Sequence, residues 1–196
     1  MDRGCAIQIS RRITGLVFLT LACALPLAAQ SNSTVPDQSP SKAALRKEWQ
    51  EYSSQLQELK KVSRAAYSDE EAREKAGDCP EAKSTYDMNV CLGKEVGKTA
   101  VNYKAYTDAL RSVEGLASPA ESQGAGPTGN SLTPGERVSE FDRVESAWRA
   151  YYEAECSAAY DAYKGGTIAP SIELTCRLRL MRDHMHELES IFDFTQ

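Results

Sequence analysis

Histidine is scarce in this sequence of 196 residues, which contains only His184 and His186. On a helix, a two-residue step sends side chains to different faces, which disfavours a shared metal site or a catalytic pair. Both histidines are therefore predicted to lie at the surface.

The sequence also lacks a glycine-rich phosphate loop, a metalloprotease motif and a Gly-x-Ser-x-Gly elbow. We predict no catalytic residue, no metal site, no cofactor and no enzymatic activity.

Basic residues are outnumbered by acidic ones, 23 against 28, which gives a formal net charge of −5. Because nucleic-acid binding relies on a basic patch, nucleic acid is not an expected partner. The Asp and Glu side chains are expected on solvent-facing helix surfaces. A cationic protein is the expected kind of partner, since opposite charges speed the encounter of two proteins.

A long apolar run occurs at the N-terminus, where polar residues and glycine interrupt it. Residues 1–29 combine three arginines, an apolar run over 13–25 and a small-residue cleavage site, which is the pattern of a secretory signal peptide. This run is shorter than the roughly 20 residues of a bilayer span. We predict cleavage before Gln30, no transmembrane span in the remaining chain and export to the periplasm or medium. A lipid anchor at Cys23 is the alternative.

Cleavage at this site would change the charge of the protein. It removes three basic residues and one acidic residue, which leaves 20 against 27 and a net charge of −7. The mature protein is therefore more acidic than the full chain, which strengthens the expectation of a cationic partner.

Four segments repeat apolar residues at steps of three and four, and no segment shows the alternation of a strand. The fold class predicted is all-α, an antiparallel bundle of about four helices. Both tryptophans lie on these stripes and are predicted to be core residues. The stripes are Leu45, Trp49, Tyr52, Leu56, Leu59; Leu92, Val96, Thr99, Tyr103, Tyr106, Leu110, Val113; Val138, Phe141, Val144, Trp148; and Leu174, Leu178, Met181, Met185, Leu188, Phe192.

Composition divides the rest of the chain. The segment 30–41 is polar and proline-containing and is predicted to be a disordered tether. An N-terminal amphipathic helix and loop are assigned to 42–78, with the polar stretch from Ser68 onwards read as the helix end and loop. A helical domain follows at 79–192. Within it, residues 117–135 are rich in Ser, Gly and Pro and are predicted to be a flexible loop.

Four cysteines remain after cleavage: Cys79, Cys91, Cys156 and Cys176. An even number of cysteines in an oxidising compartment predicts two disulfides. No pair has the two-residue spacing of a zinc site, so metal binding is disfavoured. Four cysteines permit three pairings.

The positions of the cysteines favour a disulfide between Cys156 and Cys176. A disulfide between Cys79 and Cys91 would form only if the chain folds back between them. Cys156 lies nine residues before Gly165 and Cys176 ten residues after Gly166, so a helical hairpin that turns at this glycine pair sets both at one height. Cys79 and Cys91 would lie about 18 Å apart along an unbroken helix. Their pairing therefore requires a chain reversal, for which 84–87 supplies capping and turn residues.

Cysteines, aromatic residues and a glycine pair follow one another in a characteristic order: Cys79, Asn89, Val90, Cys91, Asn102, Tyr106, Trp148, Glu155, Cys156, Gly165, Gly166 and Cys176. This order resembles the N-terminal domain of the LprI lysozyme-inhibitor family. The resemblance covers about 79–188 and implies a small exported protein, helical and disulfide-bonded.

The family name makes lysozyme the expected cationic partner. The expected function is then a non-enzymatic binding protein that obstructs the substrate cleft of lysozyme with the 117–135 loop or the Gly165-Gly166 turn. The alternative is a structural or assembly protein of the cell envelope, in which the stripe from Leu45 to Leu59 pairs with another chain. The oligomeric state is left open.

Overall fold

The computed structural model describes residues 41–124 and 132–192. The predicted signal peptide and all but the last residue of the predicted tether lie outside these residues. Five helices and no strand are present in the described part of the chain: α1 Lys42–Ala76, α2 Thr85–Glu114, α3 Pro119–Ser122, α4 Pro134–Asp161 and α5 Ala169–Phe192. None of these helices has the length and hydrophobicity that crossing a membrane requires.

The predicted fold class, an all-α antiparallel bundle with two disulfides, is confirmed. Four long helices form the bundle, and each runs antiparallel to the long helix before it. The first and third long helices therefore point one way, and α2 and α5 point the other. Contacts of Asn89 with Ser171 and of Tyr106 with Glu189 show that α2 and α5 advance side by side.

Side-chain caps set the helix starts. The Ser41 hydroxyl accepts a hydrogen bond from the amide of Ala44 at 3.2 Å, and α1 begins at the next residue. The first turn of α4 has a capping box, in which Thr133 and Glu136 each bond the other's backbone amide. These bonds satisfy amides that the first turn of a helix leaves without partners.

The first helix is longer than predicted. Residues 68–76, read from sequence as a helix end and loop, continue α1 without a break to Ala76. The reason lies in the stripe of α1, which continues after Leu59 with Ser63, Ala66 and Glu70, all buried against the rest of the bundle. Within 68–76, Glu70 faces the interior although it is polar, so polarity alone does not mark this segment as a loop.

The core lies where α1, α2, α4 and α5 meet. Trp148 packs against it, as predicted.

The predicted burial of Trp49 is wrong, because this side chain is 42% exposed. Contacts of Glu70 with Thr99 and Asn102 fix the register of α1 on α2, and at that register α2 ends before it reaches the level of Trp49. The start of α1 contacts the short helix α3 instead, through Glu48 and Gln123.

The bundle thus has two different ends. We define the disulfide end as residues 77–91 and 156–176, which contain both bridges. We define the open end as the start of α1, residues 115–124, the start of α4 and the last turn of α5. Part of the predicted 117–135 loop is helix α3, and residues 125–131 lie outside the described residues.

Candidate functional site

The disulfide end brings all four expected cysteines to one side of the molecule. Cys79 is bonded to Cys91 with a Cα–Cα distance of 5.9 Å. Cys156 is bonded to Cys176 with a Cα–Cα distance of 5.5 Å. The first bridge ties the α1–α2 connection to the start of α2, and the second joins α4 to α5 just before and after their turn. Both connections are therefore held at their bases.

A chain reversal makes the first bridge possible. Gly77 and Cys79 both have positive φ angles, +80° and +55°, which turn the backbone out of α1. Such a φ is common for glycine and uncommon for other residues. Ser84 then caps α2, and its hydroxyl accepts from the amide of Asp87 at 3.1 Å. Cys91 follows in the second turn of α2, close enough to reach back to Cys79.

Asn89 connects the two parts of the disulfide end. Its side-chain carbonyl accepts a hydrogen bond from the hydroxyl of Ser171 at the start of α5. Its amide nitrogen donates to the backbone carbonyl of Thr167 at 3.4 Å. The first turns of α2 therefore hold the turn between α4 and α5 in a fixed position.

Large apolar side chains are exposed at this end. Tyr163 and Ile168 belong to the turn between α4 and α5 and are 51% and 48% exposed. Tyr86 and Val90 occupy adjacent turns of α2, beside Asn89, and are 75% and 42% exposed. Exposed apolar side chains that cluster on a rigid surface are typical of protein-binding sites.

A buried network of charged side chains stabilises the disulfide end from inside the bundle. Arg182 of α5 donates two hydrogen bonds to the carboxylate of Asp78, at 2.7 and 2.9 Å, and one to Glu70 at 2.8 Å. These carboxylates, Asp78 first, raise the pKa of Arg182 above its ordinary value. Because Asp78 immediately precedes Cys79, the network also fixes the position of the first bridge.

Glu70 is the centre of this network and contradicts the prediction that acidic side chains lie on solvent-facing surfaces. Its side chain is 2% exposed. Besides Arg182, it accepts hydrogen bonds from Thr99 at 2.7 Å, Asn102 at 3.0 Å and Arg73 at 3.0 Å. A buried carboxylate is tolerated when charged and polar donors surround it, as they do here.

The histidines lie on different faces of α5, as their spacing predicts, but His184 is not a surface residue. It is 5% exposed and stacks on Trp148 with 4.4 Å between ring centroids. Its Nε2 hydrogen-bonds Glu145 at 2.8 Å, and Tyr103 donates to the other oxygen of that carboxylate at 2.7 Å. Burial and the charge of Glu145 raise the pKa of Tyr103.

His186 is exposed and contacts α1, where it hydrogen-bonds Tyr67 at 2.7 Å and Glu74 at 3.1 Å. The two histidines thus join α5 to different neighbours. In the part of the chain that the structure describes, no group of three His, Cys, Asp or Glu side chains is arranged to hold a metal ion.

Sequence reasoning missed Asp78, Arg182 and Glu70 as determinants of this site. Glu70 could have been found by extending the stripe of α1 beyond Leu59, since it occupies the next position of the same repeat after Ser63 and Ala66. Tyr86 and Tyr163 carry no such signal, because exposure of a single aromatic residue depends on where the neighbouring helices end.

Comparison with known families agrees with this architecture. A family model described as lysozyme inhibitor LprI matches residues 75–188, more than half of the 196-residue chain. The matched region contains both disulfides, α2 to α4 and most of α5. No curated protein and no solved structure matches the chain. The chain belongs to the LprI lysozyme-inhibitor family.

Proposed function

We propose that this protein is an exported, non-enzymatic inhibitor of lysozyme that binds the enzyme through its disulfide end and obstructs the substrate cleft. The observation that carries the proposal is the turn between α4 and α5. It presents Tyr163 and Ile168 to solvent, while the Cys156–Cys176 bridge and the bonds of Asn89 hold it in place.

Rigidity favours inhibition by obstruction. A loop that is already fixed loses little conformational entropy when it binds, so more of its contact energy remains as affinity. The buried bridge at its base also protects the turn from local unfolding, since Cys156 is 0% exposed. An inhibitor that encounters degradative enzymes outside the cell benefits from both properties.

Charge supports a cationic partner. With the signal peptide removed, the protein has a net charge of −7. Lysozymes are in general cationic, so long-range attraction would raise the rate of encounter and make it dependent on salt. Two disulfides are typical of proteins outside the reducing cytoplasm, and we propose a periplasmic or secreted location.

The test is lysis of peptidoglycan by lysozyme in the presence of increasing amounts of oxidised protein, beside protein that has been reduced and alkylated. We expect dose-dependent inhibition by the oxidised form and its loss on reduction. Truncating Tyr163 and Ile168 to Ala together should weaken inhibition by roughly 30-fold or more, since interface hot spots contribute more than about 1 kcal/mol each and about 1.4 kcal/mol is a tenfold change.

Ile191→Ala is the matched control, because Ile191 is 71% exposed but lies at the open end. It should leave inhibition unchanged. No inhibition by the oxidised protein at a large molar excess would refute the proposed function. Equal inhibition by the Tyr163→Ala/Ile168→Ala variant and by the control would refute the role of the turn.

The alternative function is a structural or assembly role in the cell envelope. Exposure of Trp49 favours it, because this residue belongs to the stripe of α1 that was expected to pair with a helix. On this alternative, the molecular mass in solution would rise with protein concentration, and Trp49→Ala would abolish the rise. A constant monomer mass would argue against self-assembly.

A further inference from the structure

A groove at the disulfide end lies between the last turn of α1 and the first turns of α2. Its volume is about 530 Å³. The Cys79–Cys91 bridge, Pro80 and Ala82 supply apolar lining, and Glu81, Asp87 and Glu95 supply carboxylates. The groove is thus apolar in its walls and charged at its edges.

The cations that line the groove are already engaged. Arg73 donates to Glu95 and also to Glu70, while Lys98 donates to Glu95 at 2.8 Å. Both cations therefore share Glu95, and hydrogen bonds from Lys98 and Arg73 lower the pKa of that carboxyl group. Glu95 therefore stays ionised, and its charge is balanced by Arg73 and Lys98.

The other two carboxylates of the groove differ from Glu95. Glu81 and Asp87 are both exposed, and neither forms an ion pair with a basic side chain among residues 41–124 and 132–192. The Asp87 carboxylate accepts a hydrogen bond from the Ser84 hydroxyl at 2.7 Å. Its charge also offsets the positive end of the α2 dipole, and the C-terminal carbonyls of α1 add partial negative charge on the opposite side.

This combination fits one kind of occupant. Arginine and lysine have an apolar stem and a cationic head, so the stem can lie on apolar walls while the head reaches a carboxylate. We propose that the groove is a docking site for a basic side chain of a cationic protein partner, with Glu81 and Asp87 as the groups that receive the charge.

The identity of that partner rests on the proposed function. The groove lies at the same end of the bundle as the α4–α5 turn, so a lysozyme bound there would also reach the groove. Asp87 of the groove directly follows Tyr86, which is exposed at the same end of the bundle. A lysozyme bound to the turn would therefore face the groove with part of its basic surface.

The first experiment does not depend on lysozyme. The oxidised protein, purified after export into a bacterial periplasm, is titrated with blocked arginine (N-acetyl-arginine methylamide) while backbone amide resonances are recorded. We expect shifts that are localised to residues 77–91 and are abolished by Glu81→Lys. The neutral analogue, blocked citrulline, should cause none. Absence of localised shifts with blocked arginine would overturn the docking site.

The second experiment measures the dissociation constant for lysozyme. Glu81→Lys should weaken binding roughly tenfold, since close opposite charges across an interface commonly contribute more than about 1 kcal/mol. Glu58→Lys is the matched control: it makes the same change in net charge at an exposed residue about 22 Å along α1 from Arg73, the nearest lining residue of that helix. Equal affinities of these two variants would overturn the groove as part of the interface.

If the proposed function is wrong and the docking site is right, the two experiments will disagree. In that case the unsubstituted protein would not bind lysozyme, while blocked arginine would still shift the amides of the groove. The basic side chain would then belong to another cationic protein.

Discussion

The two ends of this bundle are stabilised by different means. At the disulfide end, two bridges and a buried charge network restrain the connections between helices. At the open end, the described connections depend on exposed or half-buried hydrogen bonds, such as those from Arg137 to the carbonyls of Glu114 and Leu116. Restraint of the connections is therefore concentrated at the end where we propose the binding surface.

Loss of Arg182 should have the largest effect. Arg182→Met leaves Glu70 and Asp78 without their shared cation, and breaking one side of a buried ion pair costs about 3–5 kcal/mol. We expect the free energy of unfolding, measured with denaturant, to fall by that amount. Arg179→Met, which removes an exposed partner of Asp183, should change it by less than about 0.5 kcal/mol. Equal losses in the two variants would contradict the network as a main support.

Removal of the second bridge should have the next largest effect. Replacing Cys156 and Cys176 by Ala opens a loop whose ends are 20 residues apart, and a loop of that size is expected to contribute about 3 kcal/mol. Thermal unfolding should therefore begin at a lower temperature, and amide exchange should increase most in residues 162–168. If exchange rose equally at the open end, the bridge would not be specific to the disulfide end.

The smallest effect is expected at the open end, through Glu121. Hydrogen bonds from Arg137 and then Ser118 lower the pKa of this carboxyl from its ordinary 4.5 to about 2. A lowered pKa in the folded protein means that Glu121 stabilises the fold above pH 4.5 and loses this contribution as the pH falls towards 2.

The titration can be followed directly. The carboxyl carbon resonance of Glu121 should show a midpoint near pH 2, and Arg137→Met should move that midpoint towards 4.5. In the Glu121→Gln variant, α3 should lose its protection from exchange at neutral pH while the disulfide end keeps its own. A midpoint near 4.5 in the unsubstituted protein would show that these bonds do not form in solution.

The sequence predicted the helices wherever apolar residues define the buried face. The stripe from Leu92 to Val113 lies within α2, and the glycine pair at 165 and 166 does separate α4 from α5. The prediction was wrong where burial is polar. Glu70 and His184 are buried because several helices together supply their hydrogen-bond partners, which is a property of the assembled bundle.

Trp49 is a wrong prediction of the opposite kind, because it is an apolar residue that was expected in the core and is exposed. Its place on an apolar stripe indicates a helix face correctly, but a stripe cannot tell how far the neighbouring helix extends. The candidate functional site was likewise predictable only in part. The cysteines and the α4–α5 turn are visible in the sequence, whereas the exposure of Tyr86 and the groove beside Glu81 depend on the register between helices.

An even number of long helices has a consequence for how the protein can be displayed. The chain enters the bundle at the start of α1 and leaves it after α5, and both points lie at the open end. Attachment to a surface or carrier next to the start of α1 or the end of α5 would therefore orient the disulfide end outwards. A protein immobilised in this way would keep the α4–α5 turn and the groove accessible to a partner arriving from solution.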